Sequence, residues 1–251
     1  MREALGSPGL VVEVFATADA SARHDGLRRL AVDARVSWHE TSDDVVQAIS
    51  ATVHPQGLVA VCRVVDVPLA TALATTPARE LRLAVVGVHV SDPGNAGTVV
   101  RCADAAGADA VVFCGNGVDP YNPKAVRASV GSLFHVPLAL EADPAAAVAA
   151  LRAAGLQVLA ADGAAALDLD GAEEGGLLSA PTAWLFGNEA HGLGPAVLEL
   201  ADNAVAVPMY GRAESLNLAT AAAVCLYASA RAQRKGPPPA MRGPDSPPPG
   251  D

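Results

Sequence analysis

The stretch LRLAVVGVHVSDPGNAGTVVRCADAAGADAVVFC, residues 81–114, carries the pattern from which the architecture can be read. A near-continuous apolar run ends in the turn DPGNAG. A helical pattern follows from Ala96, and a second apolar run, DAVVFC, comes after it. Strands this uniformly apolar, alternating with helices, belong to a mostly parallel sheet covered on both faces. The alternation continues through LQVLAAD (156–162), TAWLFG (182–187) and NAVAVPM (203–209), with helical segments from Pro123, Pro144 and Leu193. A last helix, expected over 215–234, is apolar for most of its length and should be largely buried. One residue stands out in the opening stretch: Arg101, a permanent cation among Val, Cys and Ala.

Outward from this core the chain divides. Residues 1–70 read as a small α/β unit, with strands in LVVEVFAT, VSWHE and GLVAVCRV and helices in ADASARHDGLRRLA and TSDDVVQAIS. The richest turn signals fall within 66–80, and 71–80 is the expected linker. Residues 81–235 form the larger α/β domain. The tail 236–251, PPPAMRGPDSPPPGD after Gly236, is too Pro-rich to pack and is expected to be disordered.

Composition narrows the function. Half of the 251 residues are hydrophobic, and Arg outnumbers Lys fifteen to two, a skew that reads as coding bias. The net charge of −10 argues against nucleic-acid binding by bulk positive charge, but seven carboxylates against one Arg in 141–174 leave room for a basic surface elsewhere. The four cysteines sit in apolar runs without metal-ligand spacing, so no metal site is expected, and buried thiols of a reducing cytoplasm fit better than disulfides. No run reaches the roughly 18 apolar residues of a membrane span, and no signal segment opens the chain, so a cytoplasmic protein is expected.

The first strand is not followed by GxGxxG, and PGNAG lacks the Lys-Ser/Thr of a P-loop. Instead, glycines mark three strand exits: SDPGNAG, LFGNEAHGLG and VPMYGRAESLN. Ligand crevices of open parallel sheets lie at such ends, so three polar, Gly-rich exits suggest one composite site. Singly, each has an ordinary explanation. PGNAG is a turn with a cap, and Arg101 snorkels on a surface helix. Glu189 and His191 sit in a turn, while Glu214, Ser215 and Asn217 satisfy a helix start.

Taken in order, the three stretches resemble the motifs of the SpoU (TrmH-like) branch of the SPOUT RNA methyltransferases. The first is DPGNAGTVVRCADAAGAD with Asn95 and Arg101, the second WLFGNEAHGLG with Glu189, and the third VPMYGRAESLNLATAAAVCLY with Ser215 and Asn217. NPKAVRASVGSLFHVP between the first two is also similar, and HPQGLVAVCR in the first unit resembles an L30e-like RNA-binding domain. The resemblance implies a SPOUT domain with a C-terminal deep trefoil knot, a feature periodicity does not reveal. It also implies a strand and helix ahead of Arg2, so either the true start lies upstream of Met1 or the first domain is shortened.

The implied activity is transfer of a methyl group from S-adenosylmethionine (SAM), without metal, to an RNA ribose 2′-hydroxyl. Ribosomal RNA ranks above transfer RNA because of the accessory domain. The implied catalytic set is Arg101, Asn95, Glu189, Ser215 and Asn217. The implied cofactor contacts are Ala161, Gly187, Val207, Met209 and Leu216, where glycine permits close backbone approach and the larger residues give an apolar wall. An ordinary Arg is a poor base, so Arg101 is expected to clamp phosphate and hydroxyl, with Asn95 and Glu189 orienting it or the ribose. The resemblance implies a homodimer through the catalytic domain. Rival readings are a transfer-RNA enzyme, a base methyltransferase and a noncatalytic RNA-binding protein that keeps the fold. Loss of Arg101, Glu189 or Asn217 would favour the last, and all three are present.

Overall fold

The computed structural model describes residues 1–50, 52, 54–75, 80–188 and 190–234. The tail expected to be disordered lies outside the described residues, as do positions 76–79 of the expected linker.

The amino-terminal unit runs α1 (Arg2–Gly6), β1 (Val11–Ala16), α2 (Ala18–Arg23), α3 (Asp25–Asp33), β2 (Ser37–Glu40), α4 (Asp43–Ile49) and β3 (Leu58–Cys62). Its sheet is ordered β2-β1-β3, with β2 parallel and β3 antiparallel to β1. Thr17 and Ser42 cap α2 and α4 through their hydroxyls. The helical pattern of 18–31 breaks at His24. The break lets α3 place Leu27, Leu30 and Ala31 in a small core with Val14 and Trp38.

The connection is less free than its prolines and threonines suggest. It contains α5 (Leu69–Ala72), Asp66 bridges Leu138, and Ala72 and Leu73 are buried against the second unit's sheet. Burial of these apolar side chains outweighs the local turn signals as far as Leu73.

The second unit runs β4 (Leu83–Val88), α6 (Pro93–Ala106), β5 (Ala110–Cys114), α7 (Pro123–Ser129), β6 (Leu138–Glu141), α8 (Pro144–Ala153) and β7 (Gln157–Ala161). It continues with β8 (Leu167–Asp168), α9 (Leu169–Glu174), β9 (Thr182–Phe186), α10 (Pro195–Leu198), β10 (Asn203–Ala206) and α11 (Leu218–Gln233). The strands are ordered β6-β5-β4-β9-β7-β10-β8, all parallel. This is the mostly parallel α/β sheet expected from residues 81–114. No helix among the described residues is long and apolar enough to cross a membrane.

Side-chain alternation explains why the runs are apolar throughout. Leu83, Val85, Val111, Phe113, Trp184 and Phe186 face α6 and α11, while Ala84, Val86, Val112, Cys114, Ala183 and Leu185 face the layer of α5 and α8. Both faces are dry, so both parities must be hydrophobic. The indole of Trp184, fully buried, donates to Ser229 Oγ at 2.9 Å and so fixes α11 on β9. Gly97 sets the crossing of α6 on α7, because a Cβ there would lie 2.1 Å from the Ala125 carbonyl oxygen.

The two units also meet through polar contacts. The Val65 and Asp66 amides donate to the Tyr121 hydroxyl at 2.8 and 2.7 Å, and that hydroxyl donates to Asp66 Oδ1 at 2.5 Å. His135 lies between Asp104 on α6 (2.8 Å) and Glu3 on α1 (3.2 Å).

Candidate active site

The carboxyl ends of β4, β7, β9 and β10 open on one side of the sheet, where the order of strand connections reverses. Between the ends of β7, β9 and β10 is a cleft of about 470 Å³. Ala161, Asp162 and Gly163 line it from β7, Gly187, Asn188 and Gly192 from β9, and Val207, Met209 and Glu214–Asn217 from the loop after β10. All five residues expected to hold a cofactor, Ala161, Gly187, Val207, Met209 and Leu216, therefore share one cleft with Ser215 and Asn217.

The loops are tied to one another. After β4, Asp92 caps α6 by accepting from the Asn95 amide at 2.8 Å; Lys124 Nζ, 2.6 Å away, and these backbone bonds hold its carboxyl below the usual range. Asn95 Oδ1 accepts from Asn217 Nδ2 at 3.0 Å. Asn217 Oδ1 in turn accepts from the Ala219 and Thr220 amides, so α11 begins at Leu218 and not at Ser215 as spacing suggested. Asn217 thus serves as the helix cap its residue type allows and as a bridge to the first motif.

The loop after β9 depends on Asn188, which the sequence reading did not single out. Its backbone exchanges hydrogen bonds with Gly192, its Oδ1 accepts from the Ala190 amide, and its Nδ2 donates to the His89 carbonyl at 2.9 Å and to Ser91 Oγ at 3.3 Å. An Asn between two glycines at a strand exit was the available signal. Gly187 is required by the same closure, since a Cβ there would stand 2.1 Å from the Gly192 carbonyl carbon. Glu189, expected to orient Arg101 or the ribose, lies outside the described residues.

Arg101 does not line this cleft. It is exposed on α6, with no hydrogen bond or ion pair among the described residues. Six residues separate it from Asn95, which at 3.6 residues per turn puts the two side chains about 120° apart around the axis. Asn95 faces α11, whereas Arg101 shares an outer stripe with Ala105. Val224 and Tyr227 of α11, 38% and 52% exposed, extend the exposed surface, and Tyr227 Oη lies 3.4 Å from the Ala105 carbonyl.

The cleft is suited to a cofactor of SAM's size and character. It offers an apolar wall (Val205, Val207, Met209, Leu216), loop backbone at Ala161 and Gly187, and a polar floor at Asn217. Among the described residues no group of His, Cys, Asp and Glu is placed to hold a metal.

A parallel α/β sheet whose strand-end loops wall a cofactor-sized cleft is the architecture of a cofactor-binding α/β protein. The chain belongs to the SpoU rRNA Methylase family, whose model matches residues 82–227. It is 35% identical over 227 residues to 23S rRNA (guanosine(2553)-2′-O)-methyltransferase RlmP of Bacillus subtilis, covering 90% of this chain and 84% of the relative. It is 38% identical over 179 residues to the 23S rRNA (uridine(2479)-2′-O)-methyltransferase of Streptomyces viridochromogenes, covering 70% and 61%. The crystal structure of the SpoU methyltransferase AviRb from Streptomyces viridochromogenes with AdoMet superposes with a TM-score of 0.75 at 32% identity, over 90% of this chain and 84% of that one.

Proposed function

We propose that this protein is a SAM-dependent methyltransferase acting on a ribose 2′-hydroxyl of 23S ribosomal RNA. The observation that carries the reading is the meeting of the second and third motif loops on one cleft, to which Asn217 ties Asn95 of the first motif. Ala161, Gly187, Val207, Met209 and Leu216 would hold the cofactor, and the apolar wall would shed water from it. When bound, SAM supplies a methyl group already activated by its sulfonium charge. What remains for the protein is to align the hydroxyl and manage its proton.

Arg101 is the group we assign to the hydroxyl and its neighbouring phosphate, a pair its planar fork suits. Because Arg101 is exposed and does not line the cleft of its own chain, we infer that it serves the cleft of a second copy. The exposed α6–α11 face carrying Arg101, Ala105, Val224 and Tyr227 would form a two-fold interface that completes both sites. Ser215 would complete the pocket in this reading, with Asn95 and Asn217 holding its floor, and Glu189 would orient Arg101 or the ribose.

The finer architecture is part of the same reading. β10 lies between β7 and β8, both earlier in the chain, and the loop 187–192 closes on itself through Asn188 and Gly192. This strand order is what a trefoil knot would need, and in that reading its last segment, 207–217, presents the cofactor wall. The amino-terminal unit, with its β2-β1-β3 sheet, serves as the L30e-like RNA-binding domain. Work on ribosomal RNA would place the protein in the cytoplasm.

The test is transfer of labelled methyl from SAM to ribosomal RNA taken from cells lacking the gene, followed by digestion to nucleosides. A 2′-O-methylnucleoside is the expected product. A methylated base, or no transfer despite SAM binding, would overturn the assignment.

A further inference from the structure

The loop 207–217 carries two side chains that the cleft does not use. Tyr210 directly follows Met209 on the cleft wall and is 85% exposed, the most exposed large hydrophobic side chain among the described residues. It is not loose. Its hydroxyl donates to Asp170 Oδ2 on α9 at 2.5 Å, so the ring is anchored at its backbone and at its tip while its faces stay open. The hydrogen bond to that carboxylate also raises the phenol's pKa, keeping the donor proton in place. Two residues on, past Gly211, Arg212 is exposed and makes no hydrogen bond or ion pair among the described residues.

A pre-positioned aromatic face with a cation beside it is what unpaired RNA needs: bases splayed from a loop stack on aromatic rings while Arg takes a phosphate. The chain's net charge of −10 strengthens the case. Without bulk positive charge, affinity for RNA must come from local contacts, and stacking does not weaken with salt as phosphate contacts do. We propose that Tyr210 and Arg212 form a nucleotide subsite at the mouth of the cleft, Tyr210 stacking on a base of single-stranded RNA and Arg212 holding an adjacent phosphate. This rests on the cleft being the methyl-transfer site.

The test uses full-length Tyr210→Ala, Tyr210→Phe, Tyr210→Trp and Arg212→Gln with 23S ribosomal RNA from cells lacking the gene, at saturating SAM. Tyr210→Ala should raise KM for RNA by roughly ten- to hundredfold, the effect of losing one stacked base. Its kcat and SAM affinity should hold, and the Phe and Trp variants, which keep the ring, should stay near wild type. Arg212→Gln should raise KM and flatten the dependence of log KM on log salt by about one, which Tyr210→Ala should not. An unchanged KM in Tyr210→Ala would overturn the stacking role. A Phe variant as impaired as the Ala variant would overturn it too, since the Asp170 tether would then be what matters. Failure of the wild-type protein to bind SAM would instead sink the cleft reading, and filter binding of the same RNA by Tyr210→Ala and wild type would still decide the stacking.

Discussion

Asn217 donates to Asn95 at 3.0 Å across 122 residues of sequence, and this bond joins the amino-terminal ends of α6 and α11. Asn217 also caps α11, so its two functions can be separated by substitution. Asn217→Asp keeps an oxygen for the Ala219 and Thr220 amides and should hold stability. It places an oxygen where the donor to Asn95 was, and methyl transfer should fall at least about tenfold, the loss of one orienting hydrogen bond. Asn217→Ala should lose both, with about 1 kcal/mol of stability gone. Thermal unfolding and single-turnover transfer check the pair; equal activity in the Asn217→Asp variant and the wild-type protein would remove the bridge from the mechanism.

Arg101 is exposed and unpaired among the described residues, so Arg101→Ala should cost little stability. As a clamp on phosphate and hydroxyl it should nonetheless cost roughly two to four orders of magnitude in single-turnover rate. Calorimetry should find SAM affinity unchanged. Arg101→Lys, which keeps the charge but not the planar fork, should stay severely impaired.

The proposed two-chain site can be tested by complementation. Gly187→Ala forces a Cβ into the Gly192 backbone and should abolish SAM binding while leaving Arg101 intact. Mixed with Arg101→Ala under exchange, it should restore up to about a quarter of wild-type activity, since half the dimers are hybrids with one sound site. Activity no higher than the sum of the two inactive proteins would place Arg101 and the cleft in the same chain.

His135 adds a pH-dependent contribution between the two units. Its hydrogen bond to Asp104 raises its pKa, partial burial opposes this, and Glu3 adds a further upward push. A raised folded-state pKa means that the contribution is fully present below an ordinary histidine's pKa of about 6.5 and fades as pH rises through the folded value. The ring is 41% exposed, so the effect is modest. The gap in unfolding temperature between wild type and His135→Gln should narrow from pH 6 to pH 8. A gap that widens over that range would reverse the sign.

Much of the fold was legible in the sequence because burial on both faces leaves a plain mark. The runs around Val85, Val111, Leu159, Trp184 and Val205 all became strands of the parallel sheet. β6 and β8 escaped notice, being four and two residues long and held by neighbours, not by a pattern of their own. The linker looked freer than it is because Ala72 and Leu73 owe their order to a distant sheet. At the site, residue types gave only three polar, Gly-rich strand exits, and the individual cleft-wall residues came from the resemblance to the SpoU motifs. Asn188 was missed because its work is to satisfy the backbone of loops remote in sequence. The separation of Arg101 from Asn95 around α6 follows from their spacing of six, but its consequence emerges only once the outer face of α6 and α11 is seen exposed.

The proposed function makes ribose methylation of ribosomal RNA dependent on Arg101. Mapping of 2′-O-methyl groups across total RNA reads this out in one step, comparing cells with the gene, without it, and with the gene carrying Arg101→Ala. One 23S position should be methylated only with the intact gene. Identical maps in all three, or a mark that persists with Arg101→Ala, would refute it.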